Sequence, residues 1–165
     1  MIMKLIGRKK SYLINDLNNL FINHYRKNIC IKSKLKKNAL LFLKYCKKNK
    51  INLFVSTNKS EENAKLLLKK LKVLKYFKFT AGHDTFNYKK PNPLHLDMLK
   101  KKFKIKKKQT IYIGDSEIDS LVARKFKIKF FLIKKGYTNI SHLKIFSDYT
   151  FSNFTEIPPL IKKLS

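Results

Sequence analysis

Acidic residues, cysteines, glycines, prolines and long apolar runs are all scarce in this chain of 165 residues. The only cysteines are Cys30 and Cys46, and they form no CxxC pair. This excludes a disulfide framework or a cysteine zinc site and is typical of free thiols in a reducing compartment. Apolar runs such as residues 39–43 are far shorter than the roughly 20 residues that cross a bilayer, and the N-terminus does not resemble a secretory signal. We therefore expect a cytoplasmic protein that does not span a membrane.

The shortage of acids leaves a large positive charge. Lys and Arg number 39 against 10 Asp and Glu, which gives a formal net charge of +29. Such a charge attracts polyanions without selectivity. Surfaces that recognise a nucleic acid usually use arginine as well as lysine, yet only Arg8, Arg26 and Arg124 are present. We expect no specific nucleic-acid partner, and a non-specific basic nucleic-acid binder remains an alternative function.

Helix-like and strand-like patterns alternate along the chain from residue 39 onward. Helices are predicted over residues 11–28 and 39–48, after Ser60, from Pro93 to residue 102, and over residues 117–126. Strands are predicted over residues 51–55, 76–81, 110–113, 130–133 and 149–151. Asn38, Ser60 and Ser116 are the expected N-caps of three of the helices. This alternation predicts an α/β fold with a parallel sheet and helices on both faces.

Two segments near predicted strand ends contain residues that could bind a phosphate, in the region where open α/β sheets bind ligands. In residues 55–60, VSTNKS, the strand leads into Thr57 and Asn58 and then into a helix start, whose free N–H groups can hold an anion. In residues 89–93, KKPNP, Lys90 lies in a proline-flanked loop and could neutralise charge on a phosphate. Taken alone, each segment is better explained by ordinary turn, cap and solvated-loop residues.

A third segment, IYIGDSEID, places two carboxylates after a buried strand. Asp115 and Asp119 are four residues apart at a helix start, so both can face one side of the first turn. Gly114 is expected to let the backbone turn sharply out of the strand. Hard oxygen ligands suit Mg²⁺, which takes few protein carboxylates and keeps several waters. The alternative is a plain helix cap, but three of ten acids within five residues favour a metal site.

The four histidines are scattered along the chain without the spacing of metal ligands. They are His24, His83, His95 and His142. We expect each of them at the surface or in packing.

In their order and spacing, the three segments resemble the haloacid dehalogenase-like (HAD) phosphohydrolase superfamily. The runs TAGHDTFNYKKPNPLHL, TNK and IGDSEID are similar to its phosphoglycolate phosphatase subfamily. The resemblance implies a HAD-like Rossmannoid parallel sheet for residues 39–165 and a remnant of a helical cap for residues 1–38. It also implies a Mg²⁺-dependent phosphomonoester hydrolase that acts through an aspartyl-phosphate on a small phosphorylated acid such as 2-phosphoglycolate.

The same resemblance implies roles for five residues. Thr57 and Asn58 would hold the phosphoryl group, and Lys90 would balance negative charge on the nucleophile and the phosphate. Thr57 and Lys90 would therefore be the catalytic residues within this chain. Asp115 would ligate Mg²⁺, and Asp119 would ligate it or support its waters.

The family's first motif, Asp-x-Asp, does not occur in this sequence, although it would supply the nucleophile and the central strand. Asp16 with Asn18 is a faint echo of it, in a stretch with helical spacing. We therefore expect an N-terminally truncated chain, with two unpaired strand edges in the middle of the sheet. Such a chain should be unstable alone unless the two strands close together, residues 1–6 fill the slot, or another chain donates a strand. The alternative function is a catalytically inactive remnant or phosphate-binding module, and the sequence does not specify an oligomeric state.

Overall fold

The structure is a computed structural model that describes residues 11–134, 136 and 140–164, with side chains for residues 16–134, 136 and 140–163. The chain separates into two compact units, one ending at Lys34 and one beginning at Leu35. The first unit contains helix α1 (Ser11–Asn28), which has the predicted bounds. Asp16 lies on the exposed surface of this helix. That position is unlike the strand end at which the resemblance would place a nucleophile.

The second unit alternates helices and strands, as predicted. Its elements in chain order are α2 (Ala39–Lys48), β1 (Phe54–Ser56), α3 (Glu61–Lys70), β2 (Phe79–Ala81), α4 (Leu94–Phe103), β3 (Ile111–Gly114), α5 (Glu117–Phe126), β4 (Lys129–Ile133), β5 (Tyr149–Phe151) and α6 (Ile157–Leu164). The α/β class is therefore confirmed. None of the described helices is long and apolar enough to cross a membrane.

The strands form two parallel ladders. In the first, β1 pairs with β2, with Phe54 opposite Phe79. In the second, β4 lies between β3 and β5. Within the described residues no ladder joins β1 to β3, so these two strands do not close together. Residues 1–6, one of the predicted candidates for the missing central strand, lie outside the described part of the chain.

Side chains on both faces of β4 are buried, as is typical of a parallel strand covered by helices. Phe130 and Leu132 belong to a cluster with Ala123 of α5. Phe131 and Ile133 point the other way, because side chains alternate along a strand. Their cluster also contains buried residues from α2, β5 and α6, namely Phe42, Cys46, Phe151 and Ile157. Helices therefore lie on both faces of this sheet.

Both cysteines are free, as predicted. Cys46 is fully buried in the cluster formed by α2 and α6. Burial raises the pKa of its thiol to about 11, so the thiol stays protonated at neutral pH. Its role is packing.

Two of the three predicted N-caps are confirmed. The hydroxyl of Ser60 accepts a hydrogen bond from the Asn63 N–H, and that of Ser116 accepts one from the Asp119 N–H. The prediction for Asn38 was wrong in its mechanism. Its backbone is left-handed, with a φ angle of 58°, and its side chain makes no cap hydrogen bond. The amide of Asn38 instead donates to Asn153 Oδ1 at 3.0 Å.

Two predicted strands are shorter or shifted in the structure. The strand expected over residues 51–55 is Phe54–Ser56. The strand expected over residues 76–81 begins only at Phe79, because Leu74–Tyr76 forms a 3₁₀ turn. Both strands still end where the site begins.

Candidate active site

Three loops at the carboxyl ends of β1, β2 and β3 bring the predicted site residues together. Thr57 and Asn58 follow β1, Lys90 lies in the loop between β2 and α4, and Asp119 lies in the first turn of α5 after β3. Asn58 is hydrogen-bonded to Lys90, and Lys90 is paired with Asp119. Residues 32 and 29 positions apart along the chain are therefore in direct contact.

The side chain of Asn58 binds the main chain of Lys90 at two points. Its Oδ1 accepts a hydrogen bond from the Lys90 N–H at 2.8 Å, and its Nδ2 donates to the Lys90 carbonyl at 3.1 Å. The amide of Asn58 is thus used to hold the Lys90 loop. A contribution of Asn58 to phosphate binding would have to come from its backbone N–H or from the second hydrogen of Nδ2.

The ammonium of Lys90 forms an ion pair with Asp119 below the surface. Nζ lies 2.6 Å from Asp119 Oδ1, and the two side chains are only 11 % and 8 % exposed. Burial opposes the charged form of Lys90, but the neighbouring Tyr112 and Asp119 outweigh it, and the pKa of Lys90 is raised. The lysine is therefore a fixed positive charge at neutral pH.

A half-buried tyrosine completes the environment of this pair. The Tyr112 hydroxyl lies 3.3 Å from Asp119 Oδ1 and 3.4 Å from Ser56 Oγ. Lys90 Nζ lies 5.8 Å from the centre of the tyrosine ring, which adds a cation–π contact. Burial raises the pKa of Tyr112, so its O–H is protonated and can donate to the carboxylate. The sequence reasoning assigned Tyr112 only to a strand.

The second oxygen of Asp119 is also occupied. Oδ2 accepts hydrogen bonds from the Ser116 hydroxyl at 2.8 Å and from the Asp115 N–H at 3.2 Å. Burial acts to raise the pKa of Asp119, but Lys90 and these hydrogen bonds outweigh it, and the pKa lies below its usual value. These contacts favour Asp119 as the partner that places Lys90.

Gly114 is required by the close approach of Asp119. A Cβ on Gly114 would lie 2.4 Å from Asp119 Cβ and 2.6 Å from its Cγ. The φ of Gly114 lies outside the left-handed region, so the close approach, and not a positive φ, accounts for the glycine. The absence of a side chain makes room for the carboxylate.

Among the described residues, the carboxylate of Asp115 has no hydrogen-bond or ion-pair partner. Gly136 packs against this residue, since a Cβ there would lie 2.5 Å from Asp115 Cβ. The described residues contain no cluster of three or more His, Cys, Asp or Glu side chains that could hold a metal. Mg²⁺ needs only one or two carboxylates, with waters and substrate oxygens completing its shell. Asp115 fits that chemistry, whereas the oxygens of Asp119 are already in use.

Thr57 lies at the start of the turn into α3. Its N–H donates to the Ala81 carbonyl at 3.0 Å, and its Oγ1 accepts from the Lys59 N–H at 3.2 Å. These contacts agree with an ordinary turn residue. They leave the hydrogen of its hydroxyl without an acceptor in the described part of the chain, so Thr57 can still donate to an anion.

The beginning of the Lys90 loop is tied to helix α3. Asp84 Oδ1 accepts from the Glu61 N–H at 2.8 Å, and the Thr85 hydroxyl donates to the Glu61 carboxylate. The Gly82 N–H in turn donates to Thr85 Oγ1 at 2.8 Å. The sequence reasoning did not identify this anchor, because its members are about two dozen residues apart and match no local motif.

Comparison with known proteins decides the family. Residues 2–133 match the family model described as haloacid dehalogenase-like hydrolase. The chain belongs to the haloacid dehalogenase-like hydrolase family. This HAD-like chain is 31 % identical over 152 residues to the phosphoglycolate phosphatase of Agrobacterium fabrum, a match that covers 92 % of this chain and 65 % of that protein. It is 32 % identical over 97 residues to that of Pseudomonas fluorescens Pf-5, covering 59 % of this chain and 36 % of the relative. It thus spans less than two thirds of the length of these relatives.

Solved structures support the same HAD-like fold. The crystal structure of a predicted phosphoglycolate phosphatase from Haemophilus somnus matches with a TM-score of 0.81 and 27 % identity, over 85 % of this chain and 63 % of that one. A HAD-hydrolase from Bacillus subtilis, solved bound to magnesium, matches with a TM-score of 0.74 at 14 % identity, over 92 % and 68 % of the two chains. At that identity the second match concerns the fold alone.

Proposed function

We propose that this chain supplies the phosphate-binding and charge-balancing part of a phosphomonoester hydrolase of the phosphoglycolate phosphatase type. The observation that carries the proposal is the buried Lys90 ammonium, paired with Asp119 while Asn58 holds its main chain. A lysine fixed in this way provides a preorganised positive charge at the carboxyl ends of parallel strands. The similarity to phosphoglycolate phosphatases supports a small phosphorylated acid, such as 2-phosphoglycolate, as the substrate.

Each residue of the site has a part in this proposal. The hydroxyl of Thr57 and backbone N–H groups at the start of α3 bind phosphoryl oxygens, as helix N-termini do. Lys90 offsets negative charge on the nucleophile and on the phosphate. Asp119 positions Lys90 and, through its hydrogen bond from the Asp115 N–H, the backbone that carries Asp115.

Asp115 is the residue we propose to hold Mg²⁺. A magnesium ion would supply electrostatic stabilisation of the charge that develops on the transferring phosphoryl group. Asp119 acts here as a supporting residue rather than a direct ligand.

The nucleophile must come from outside these 165 residues. The first Asp of an Asp-x-Asp motif would attack phosphorus through a carboxylate oxygen, the bond to the ester oxygen would break, and the second Asp would donate its proton to the leaving alcohol; that second Asp would then take a proton from the attacking water. Water then cleaves the aspartyl-phosphate, which releases inorganic phosphate and restores the carboxylate. Within this sequence no two aspartates are two residues apart, and the exposed Asp16 of α1 is no substitute.

The test compares the chain alone with a fusion that adds an N-terminal strand bearing Asp-x-Asp. With 2-phosphoglycolate and Mg²⁺, the fusion should release phosphate and the chain alone should not. Asp115→Asn in the fusion should lower turnover by at least about a hundredfold, since electrostatic stabilisation by a metal supplies several kcal/mol. The matched control is Asp97→Asn, which makes the same change at a partly exposed acid paired with the exposed Lys101.

The result also separates the alternative functions. Full turnover by the Asp115→Asn fusion would remove the proposed metal role. A different result would favour the phosphate-binding module. In that result the wild-type chain binds inorganic phosphate, but the fusion does not hydrolyse 2-phosphoglycolate. That alternative is favoured by the absence of Asp-x-Asp in this sequence.

A further inference from the structure

A fully buried histidine lies directly beneath the Lys90 loop. His95 is the second residue of α4, and its side chain has no exposed surface. Its Nδ1 lies 2.7 Å from the carbonyl oxygen of Tyr88, two residues before Lys90. Because a carbonyl only accepts hydrogen bonds, Nδ1 must carry the proton and donate it.

The surroundings of the other ring nitrogen, Nε2, favour a neutral imidazole. His95 Nε2 is buried and has no hydrogen-bond partner among the described residues. The ring of Phe86 meets the imidazole edge-on, with the ring centres 6.1 Å apart. A second proton on Nε2 would therefore be an unsatisfied buried charge. Burial lowers the pKa of His95, and the positive charge of Lys90 and the nearby His83 lower it further.

We propose that His95 is a positioning residue for Lys90, acting as a neutral imidazole protonated at Nδ1. Asn58 holds the N–H and the carbonyl of Lys90 itself, and His95 holds the carbonyl of Tyr88 just before it. The loop is thus held at residues 88 and 90 by side chains from α4 and from the turn after β1. An ammonium placed 2.6 Å from its carboxylate needs such a fixed main chain, because a flexible loop would lose the ion-pair geometry.

This assignment goes beyond packing, which the sequence predicted for His95. A packing role needs only the volume of the ring. The positioning role needs one N–H donor directed at Tyr88. The two roles can be separated by substitutions that keep the volume or keep the donor.

The experiment uses the full 165-residue chain with three substitutions. His95→Phe keeps a ring but removes the donor, His95→Gln keeps an N–H donor, and His142→Gln is the control at an exposed histidine. Hydrogen exchange of the Lys90 amide, which Asn58 protects, is measured by NMR. We expect exchange to be about five- to tenfold faster in His95→Phe, as for the loss of one hydrogen bond. His95→Gln should recover most of the protection, and His142→Gln should match the wild type.

A second measurement keeps the proposal falsifiable if His95→Phe does not fold. The imidazole ¹⁵N spectrum of the wild type should show a neutral ring with its proton on Nδ1. A proton on Nε2, or unchanged Lys90 protection in a folded His95→Phe, overturns the proposal. A third measurement, the affinity for inorganic phosphate, rests on the proposed function. His95→Phe should lower this affinity. A wild type that binds no phosphate refutes the proposed function alone, since neither NMR measurement requires a ligand.

Discussion

Lys90 and Asp119 form an ion pair that is unusual for a chain so rich in lysine, because both side chains are almost completely buried. Most of the 36 lysines need no partner, since water solvates them. Breaking a buried pair leaves an uncompensated charge in the interior, which costs far more than losing an exposed pair. The stability of the site therefore depends on this one carboxylate.

We expect Asp119→Asn to lower the free energy of unfolding by about 3–5 kcal/mol, because Lys90 loses its partner. Asp97→Asn, which breaks an exposed pair with Lys101, should cost at most about 1 kcal/mol. Urea denaturation at pH 7 measures both, and equal effects would contradict the buried-pair argument.

Because the pKa of Asp119 is lowered from 3.8 by folding, its contribution to stability is present above that pH and is lost as the pH falls through the folded pKa. The wild type should therefore lose more stability than the variant in that acid range.

At the scale of elements, the turn from β3 into α5 is built around a missing side chain. Gly114 leaves the space that the Cβ and carboxylate of Asp119 occupy, one turn into the helix. Ser116 caps the same helix and donates to the same carboxylate. The strand end, the helix start and the acid are thus one packed unit.

Gly114→Ala should destabilise the fold by about 1–3 kcal/mol, the usual cost of overpacking, and should displace Asp119 from Lys90. Thermal or urea unfolding of the variant checks the first expectation. The cost should shrink in an Asp119→Gly background, because glycine has neither the Cβ nor the carboxylate that the new methyl would meet. A Gly114→Ala protein as stable as the wild type would refute the close approach.

The elements themselves were largely predictable from local patterns. Helices α1, α2 and α5 have the predicted bounds, because apolar spacing and flanking residues specify a helix over short distances. The side-chain cap predicted for Asn38 does not form. Its residue type favours a cap, but its backbone is left-handed and its side chain binds Asn153 instead.

The site was predictable only in part. The three motifs correctly indicated which loops meet, since parallel strands share their carboxyl edge. The sequence did not indicate that the Asn58 amide binds the main chain of Lys90. It also did not indicate that Tyr112 contacts Asp119 or that His95 contacts the carbonyl of Tyr88. These contacts join residues that are distant in sequence, or depend on a carbonyl rather than a side chain, so no residue pattern encodes them.

At the scale of the whole molecule, the separation of the two ladders has energetic consequences. Within the described residues β1 pairs only with β2, and β3 pairs only with β4. Among the residues that the structure describes, each therefore has one edge whose N–H and C=O groups have no strand partner. A buried, unsatisfied backbone group costs about 1–3 kcal/mol, against roughly 5–15 kcal/mol for the stability of a domain. A few such groups would remove most of the stability.

We expect the 165-residue chain alone to be poorly soluble and of low stability. Fusing a strand-forming Asp-x-Asp segment to its N-terminus should raise the urea midpoint, compared with a fusion to a Gly/Ser segment of the same length. Circular dichroism during urea unfolding measures the two midpoints. Equal midpoints would show that the edges are satisfied without an added strand.

The hydrogen bonds between Asn58 and Lys90 reach only main-chain atoms at position 90. Any amino acid at that position with a backbone N–H would therefore keep them, and the shape of the loop is independent of the chemical group it presents. In laboratory evolution, positions 90 and 119 could be randomised together on this main-chain scaffold, because Asp119 alone would be left as a buried, unpaired charge. Position 58 would tolerate few replacements, because few side chains both donate and accept at that distance.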